Sequence, residues 1–278
     1  MIFNKIGLAI TFSPNGLPLI KTAARIQNLF SSQLCLIHVG ERTDDSELQM
    51  RNLLEKAEIP DGSYQFVWQN GEPAKAIINA ASENGVDLLI AGALEKETVI
   101  KYYLGSVART IMREALCSVL IITNPLSELK SFKKFCVSVE FSSLGESAVK
   151  KSYEFAKLEK AEEFVLIKEF EVPGLAITVY DSGSTQETEK SKQQWQLEEE
   201  EKLSLFAKEL NLKGIKYSNV ALFGKQGWEA RNFVKNNGSD LFVVPSPPKK
   251  LKFFDKIFQH DLEFILSQLP CSLLIIRE

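Results

Sequence analysis

The chain has 278 residues, 45% hydrophobic and 25% charged, with a formal net charge of −3. That length accommodates two domains of ~100–150 residues, and a near-neutral balance without a dense Lys/Arg stripe argues against a nucleic-acid partner. No apolar run reaches the ~18–20 residues needed to cross a bilayer, so no membrane partner is expected.

The first apolar segment, Ile6–Ile10, reads as a short strand, with no basic leader pattern before it. Leu19, Ala23, Ile26 and Phe30 then recur at helical spacing, and Leu34–Val39 is a second buried strand. A polar helix is expected around Ser46–Glu58, and Tyr64–Trp68 alternates as a third strand. Ala74, Ile77, Ile78 and Ala81 mark a helix face, with Pro73 suited to its first turn. Val86–Ala91 is a fourth strand; after a loop, Val107, Ile111 and Ala115 mark a helix and Val119–Thr123 a fifth strand. Strands that are apolar throughout and alternate with helices predict a parallel sheet covered on both faces. Right-handed crossovers make it doubly wound, with ligands expected beyond the carboxyl ends of the strands.

The order then repeats. Cys271-Ser272-Leu273-Leu274-Ile275-Ile276 nearly duplicates Cys117-Ser118-Val119-Leu120-Ile121-Ile122, and Asn237-Gly238-Ser239-Asp240-Leu241 matches Asn84-Gly85-Val86-Asp87-Leu88. Gly71 and Gly224 precede Asp87 and Asp240 by the same interval, and Lys5-Ile6 corresponds to Lys134-Phe135. Two tandem five-stranded α/β domains are therefore expected, residues 1–125 and 126–278, with the boundary in the polar segment near Asn124–Lys133. The second copy is longer, through a surplus around Glu171–Glu201. Its elements are expected at Phe135–Val139, Glu146–Leu158, Phe164–Ile167, Gln194–Leu210, Tyr217–Leu222, Glu229–Lys235, Leu241–Val244, Leu262–Leu269 and Ser272–Ile276.

The chemistry is expected in the loops after strands one, two and four. After strand four the first copy reads Gly92-Ala93-Leu94-Glu95, nine further residues, then Gly105-Ser106 opening a helix. Glycines allow close backbone approach, and the free N–H groups of a helix start, with the Ser106 hydroxyl, attract an anion. The alternative reading is that Gly92 turns the chain and Ser106 caps a helix.

With His38-Val39 ending strand two and Gly71-Glu72-Pro73 leading to Asp87-Leu88-Leu89, this pattern resembles the universal stress protein family in a tandem form covering nearly the whole chain. The family's ATP motif is Gly, two residues, Gly, nine residues, Gly-Ser/Thr; here Glu95 replaces the second glycine. The resemblance implies the adenine nucleotide hydrolase-like fold, a role in stress response in the cytoplasm, and ATP or another adenine nucleotide, with or without Mg, bound weakly near Thr11, Val39, Gly92, Gly105 and Ser106. Thr11 stands where the family commonly carries an Asp. It also implies that the final strands pair across the copies as an intramolecular pseudo-dimer, with homodimerisation a further option.

The second copy departs further. Pro245 takes the first glycine position and Gln259-His260 the place of Gly-Ser, while Glu140 takes the acidic position after strand one. Proline has no N–H to donate, so no phosphate cradle is expected there. No nucleophile with a paired base is visible and no catalytic residue is assigned, which leaves a ligand-free interaction module as the alternative function and a slow ATP hydrolase behind it. Lys249, Lys250 and Lys252 read as a solvated loop, Glu198–Glu201 as an exposed helix face with Leu203, Phe206 and Leu210 inward, and Trp195 as an anchor for that helix. His38 reads as a packed core histidine, and Tyr102 and Tyr103 either stack on a base or pack the loop. Cys35, Cys117, Cys136 and Cys271 lie in apolar runs without metal-ligand spacing and read as buried reduced thiols.

Overall fold

The computed structural model describes residues 2–95, 102–103, 105–123, 131–171, 185–225, 227–247 and 269–278. In chain order the elements are β1 (Lys5–Ile10), α1 (Gly16–Phe30), β2 (Gln33–Val39), α2 (Asp44–Lys56), β3 (Tyr64–Gln69), α3 (Pro73–Glu83), β4 (Leu88–Gly92), β5 (Leu94–Glu95), β6 (Tyr102–Tyr103), α4 (Ser106–Glu114) and β7 (Ser118–Ile122). The second half continues with β8 (Lys134–Ser138), α5 (Ser143–Glu159), β9 (Glu163–Phe170), α6 (Thr185–Glu209), β10 (Ser218–Phe223), α7 (Trp228–Asn237), β11 (Leu241–Pro245) and β12 (Ser272–Ile276). The helix expected at Leu262–Leu269 falls almost wholly outside the described residues, as do Lys249, Lys250, Lys252, Gln259 and His260.

Ten strands form one sheet in the order β10-β9-β8-β11-β12-β7-β4-β1-β2-β3. Each half contributes five parallel strands, and the two sets join where β12 and β7 run antiparallel. Burial follows position. β7 and β12, at the centre, are buried at every residue, whereas the outermost strands β3 and β10 are only partly covered. This gradient explains why β7 and β12 read as unbroken aliphatic runs and β3 does not. At ~1.5–3 kcal/mol for each fully buried aliphatic or aromatic side chain, these central strands dominate the stabilisation of the join.

The join has the local symmetry of a two-fold axis. Leu120 sits opposite Leu274, its counterpart in the duplicated string, with Ile121 opposite Leu273 and Val119 opposite Ile275. The hydroxyl of Ser272 accepts from the Thr123 N–H at 3.2 Å, and that of Ser118 accepts from the Arg277 N–H at 3.1 Å. The same bond is thus made twice, once in each direction.

The repeated Asn-Gly-x-Asp segment also does one job twice. Asn84 ends α3 and Asn237 ends α7, and the following glycines, Gly85 (φ 65°) and Gly238 (φ 63°), turn the chain in the left-handed region. The Asp87 carboxylate then accepts from the N–H groups of Asn4 and Lys5 at 2.7 and 3.0 Å, and that of Asp240 from those of Lys133 and Lys134 at 2.7 and 2.9 Å. Each aspartate fixes the start of its half's first strand, satisfying two donors outside the ladder.

Helices cover both faces. On one, α1 buries Leu19, Ile20, Ala23, Ile26 and Phe30 in a core that is continuous with that of α5, where Phe30 and Phe155 meet edge to face at 4.8 Å between centroids. On the other face, α3, α4 and α7 cover the sheet. In α6 the inward residues are Leu203 and Ala207, fully buried, with Phe206 and Leu210 packed beside them. Trp195 does not anchor that helix; it is 43% exposed. The acidic run is also less uniform than a solvated face, since Glu199 keeps only 13% of its side chain exposed while pairing with Lys202 at 2.6 Å.

All four cysteines are free, with Cys35, Cys136 and Cys271 buried and Cys117 partly so. Burial raises all four thiol pKa values, those of Cys117 and Cys136 to about 11.

Candidate functional site

The strand order β3-β2-β1-β4-β7 reverses direction between β1 and β4, so the switch-point crevice opens beyond the carboxyl ends of those strands. Register places the expected residues at that edge. Ile10 is opposite His38 and Leu8 opposite Ile90, so Thr11, Val39 and Gly92 all fall within one step of the same level. The helix α4 leads directly into parallel strand β7, and so begins at this edge with Gly105 as its N-cap. Thr11, Val39, Gly92, Gly105 and Ser106 therefore share one end of the first half's sheet.

The local chemistry differs from residue to residue. Thr11 is exposed, and its hydroxyl donates to the Ser13 hydroxyl at 2.9 Å, closing a tight turn. Gly92 has a packing reason to be glycine: a Cβ there would sit 3.3 Å from Leu19 Cδ2. Ser106 is not the cap of its helix. The N-cap is Gly105, with extended backbone (φ −60°, ψ 161°), which has no side chain to cap the helix start. The first N–H groups of α4 thus receive no cap from the N-cap residue itself. Leu94 and Glu95 pair antiparallel with Tyr103 and Tyr102. The side chains of Glu95, Tyr102 and Tyr103 lie outside the described residues.

Beside the crevice stands an aromatic group that sequence reading assigned only in part. His38 is buried, as expected for a packed histidine, and its Nδ1 lies 3.1 Å from the carbonyl of Ile10. Its ring lies between Phe12, tilted at 4.6 Å between centroids, and Trp68, edge-on at 4.7 Å, while the Trp68 indole N–H donates to the Gly40 carbonyl at 2.6 Å. The ends of β1, β2 and β3 are thereby tied together, and Phe12 is held 40% exposed at the rim.

A further repeat surfaces at this edge. Thr11-Phe12-Ser13 followed by Gly16 corresponds to Glu140-Phe141-Ser142 followed by Gly145. A Cβ on Gly16 would lie 2.4 Å from the Thr11 carbonyl oxygen, and one on Gly145 only 1.9 Å from that of Glu140. Both helices pack so closely on the turn before them that only glycine fits. The signal was in the sequence as a matched five-residue interval.

The second half differs at the position of Gly92. Pro245 is the last residue of β11, opposite Ile276, and the Ser246 N–H donates to the Ile276 carbonyl at 3.0 Å, as Ala93 does to Ile122 at 2.9 Å in the first half. Pro245 therefore takes the place of Gly92 with no donor of its own. At the end of β9 the Glu169 carboxylate instead accepts from the N–H groups of Gly227 and Ala230 at 2.9 and 2.7 Å, capping α7 from a neighbouring strand. Among the described residues no group of three or more His, Cys, Asp or Glu is placed to hold a metal, and no helix is long and apolar enough to cross a membrane.

An open parallel sheet with a glycine-led helix at its switch point defines the class as an α/β protein of the doubly wound type, here built as a tandem pair. Residues 2–123 match the model of the universal stress protein family. The chain is 25% identical over 147 residues, 44% of its own length and 99% of the relative's, to universal stress protein YxiE of Bacillus subtilis (strain 168). It is 30% identical over 90 residues, 32% of this chain and 61% of the relative, to a universal stress protein of Methanothermobacter thermautotrophicus. The fold of the whole chain is similar to that of a universal stress protein from Archaeoglobus fulgidus, with a TM-score of 0.68 at 14% identity, covering 99% of this chain and 98% of that one. A functionally unknown protein from Pseudomonas aeruginosa PAO1 gives a TM-score of 0.67 at 16% identity, with 99% and 92% coverage. Residues 2–123 are thus similar in sequence to universal stress proteins, and the whole chain has a fold similar to theirs.

Proposed function

We propose that this protein acts in stress response as a cytoplasmic binding protein, with one weak adenine-nucleotide site in residues 1–125 and a structural or regulatory second unit in residues 126–278. The observation that carries the reading is the start of α4 at Gly105, a cap residue with no side chain, at the switch-point end of the sheet that also carries Gly92 and Thr11. Backbone N–H groups of Gly105, Ser106 and Val107, with the Ser106 hydroxyl, would receive the phosphates, aided by the positive end of the helix dipole. Thr11 and Val39 would border the base and ribose.

Weakness follows from the residues. Thr11 brings no carboxylate for a ribose or a metal, and its hydroxyl is already turned to Ser13. Mg would therefore arrive with the nucleotide, held by its phosphates. Glu95 adds a negative charge to the phosphate loop's sequence. A dissociation constant near the millimolar range, about −4 kcal/mol, fits that balance. The proline at 245 favours a second unit that does not bind nucleotide, and supports one site per chain.

Isothermal calorimetry with ATP and AMP, with and without Mg²⁺, tests this on the full chain. Weak binding of one equivalent, lost in Gly105→Asp, is the expected result. Absence of heat at millimolar nucleotide would leave the ligand-free interaction module as the function, and turnover in the same samples would favour the hydrolase.

A further inference from the structure

At the opposite edge of the sheet, where the two halves meet, lies a cavity of about 540 Å³. That is within the ~300–1,000 Å³ of small-molecule sites. The first half supplies an apolar wall that includes Ile2, Ile78, Ala81 and Val86, and the second half supplies Lys151 and Arg277.

The two cations are the unexplained part. Arg277 is only 4% exposed. Of its five N–H donors, one reaches the Ala115 carbonyl at 2.6 Å and another the Met112 carbonyl, while Nε is buried without a partner. Lys151 lies 5.5 Å over the ring of Phe3. Among the described residues neither side chain has a carboxylate within ion-pairing distance. The acidic groups on the wall do not fill the gap: Asp87 is taken by the N–H groups of Asn4 and Lys5, and Glu278 is exposed. Burial pulls the Arg277 guanidinium down to about 10, as expected for a cation lacking a counter-charge. A buried charge is normally paired, and the helix-end carbonyls of α4 supply only partial compensation.

We propose that this cavity binds a small organic anion, with a carboxylate head met by Lys151 and Arg277 and a short apolar body against Ile2, Ile78 and Val86. The site exists only when both halves are present, one giving the apolar wall and the other the charge. It lies at the amino ends of the strands, away from the nucleotide crevice, so the two sites are separable.

Hexanoate is a suitable probe, titrated into the full chain by calorimetry, with inorganic phosphate in parallel. Saturable hexanoate binding that raises the melting temperature is expected. Lys151→Gln, at a partly exposed helix position, should weaken it about tenfold, the loss of one charge-assisted contact. Ile78→Trp, which fills the cavity, should abolish it while circular dichroism stays unchanged. Arg277 also holds the end of α4, so its own replacement is not the primary test. The proposal is overturned by no binding at millimolar hexanoate, by equal affinity in both variants, or by phosphate binding as tightly as hexanoate, since the apolar wall would then contribute nothing.

Discussion

Arg25 of α1 and Glu159 of α5 form a two-pronged ion pair across the halves, at 2.9 and 2.7 Å, with 2% of the Glu159 side chain exposed. The planar guanidinium matches the carboxylate with parallel bonds, and its carbon lies 5.9 Å above the ring of Phe132. Arg25→Ala strands a buried carboxylate and should cost about 3 kcal/mol. The double variant Arg25→Met with Glu159→Leu should recover most of that loss. Urea denaturation of wild type, single and double variants checks both, and an additive double variant would sink the account.

Gly16 and Gly145 should be the least replaceable glycines. The obstacle to a Cβ is a backbone carbonyl in each case, which no rotamer change relieves. Gly16→Ala and Gly145→Ala are each expected to destabilise by about 1–3 kcal/mol. Gly145→Ala should be the worse of the two, since its contact is shorter. Thermal denaturation orders them, and two neutral substitutions would contradict the packing.

Asp87 and Asp240 hold equivalent strand starts but differ in exposure, the first partly buried and the second exposed. Asp87→Ala leaves two amide donors without their acceptor and should cost about 1–3 kcal/mol. Asp240→Ala should cost less, because water can replace the carboxylate. Hydrogen exchange should then show early opening at Asn4 and Lys5 in the first variant.

The thiols predict an alkaline limit. A thiol whose folded pKa is raised from 9 to about 11, as for Cys117 and Cys136, stays protonated in the fold when the unfolded chain would release the proton. The unfolded state then binds fewer protons, so stability is intact below pH 9 and falls as pH rises towards about 11. The decline is about 1.4 kcal/mol per pH unit per thiol. Denaturant midpoints across this range should fall less in Cys117→Ala and Cys136→Ala than in wild type. At neutral pH the thiols should label with Ellman's reagent only on unfolding.

Ile6–Ile10, Val119–Thr123 and their counterparts were legible because a strand buried on both faces must be apolar throughout. The duplicated Cys-Ser-x-Leu-Ile-Ile strings marked the two strands that join the halves, though their pairing was implied by the family resemblance and its antiparallel sense is seen only in the structure. Contacts set by register and distance left no trace in one sequence. Phe12, His38 and Trp68 meet only because β1, β2 and β3 end level, and Arg25 and Glu159 are 134 residues apart. Of the two residues expected to open α4, Gly and Ser both suit an N-cap, and the chain uses the glycine. Gly16 and Gly145 carry no signal of their own in the sequence beyond the matched interval after Thr11 and Glu140, because the carbonyl that excludes a Cβ is set by the helix packing.

The strand pair β7–β12 places a dimer-like seam inside a single polypeptide. Where two identical chains meet, every substitution appears twice, and a glycine exchanged for proline at one ligand edge is exchanged at both. Joined in one chain, the two edges are free to drift apart, and Gly92 and Pro245 record that drift. On the function proposed above, binding at the first edge alone gives a plain hyperbola rather than a two-step response, and the other edge is released for other work.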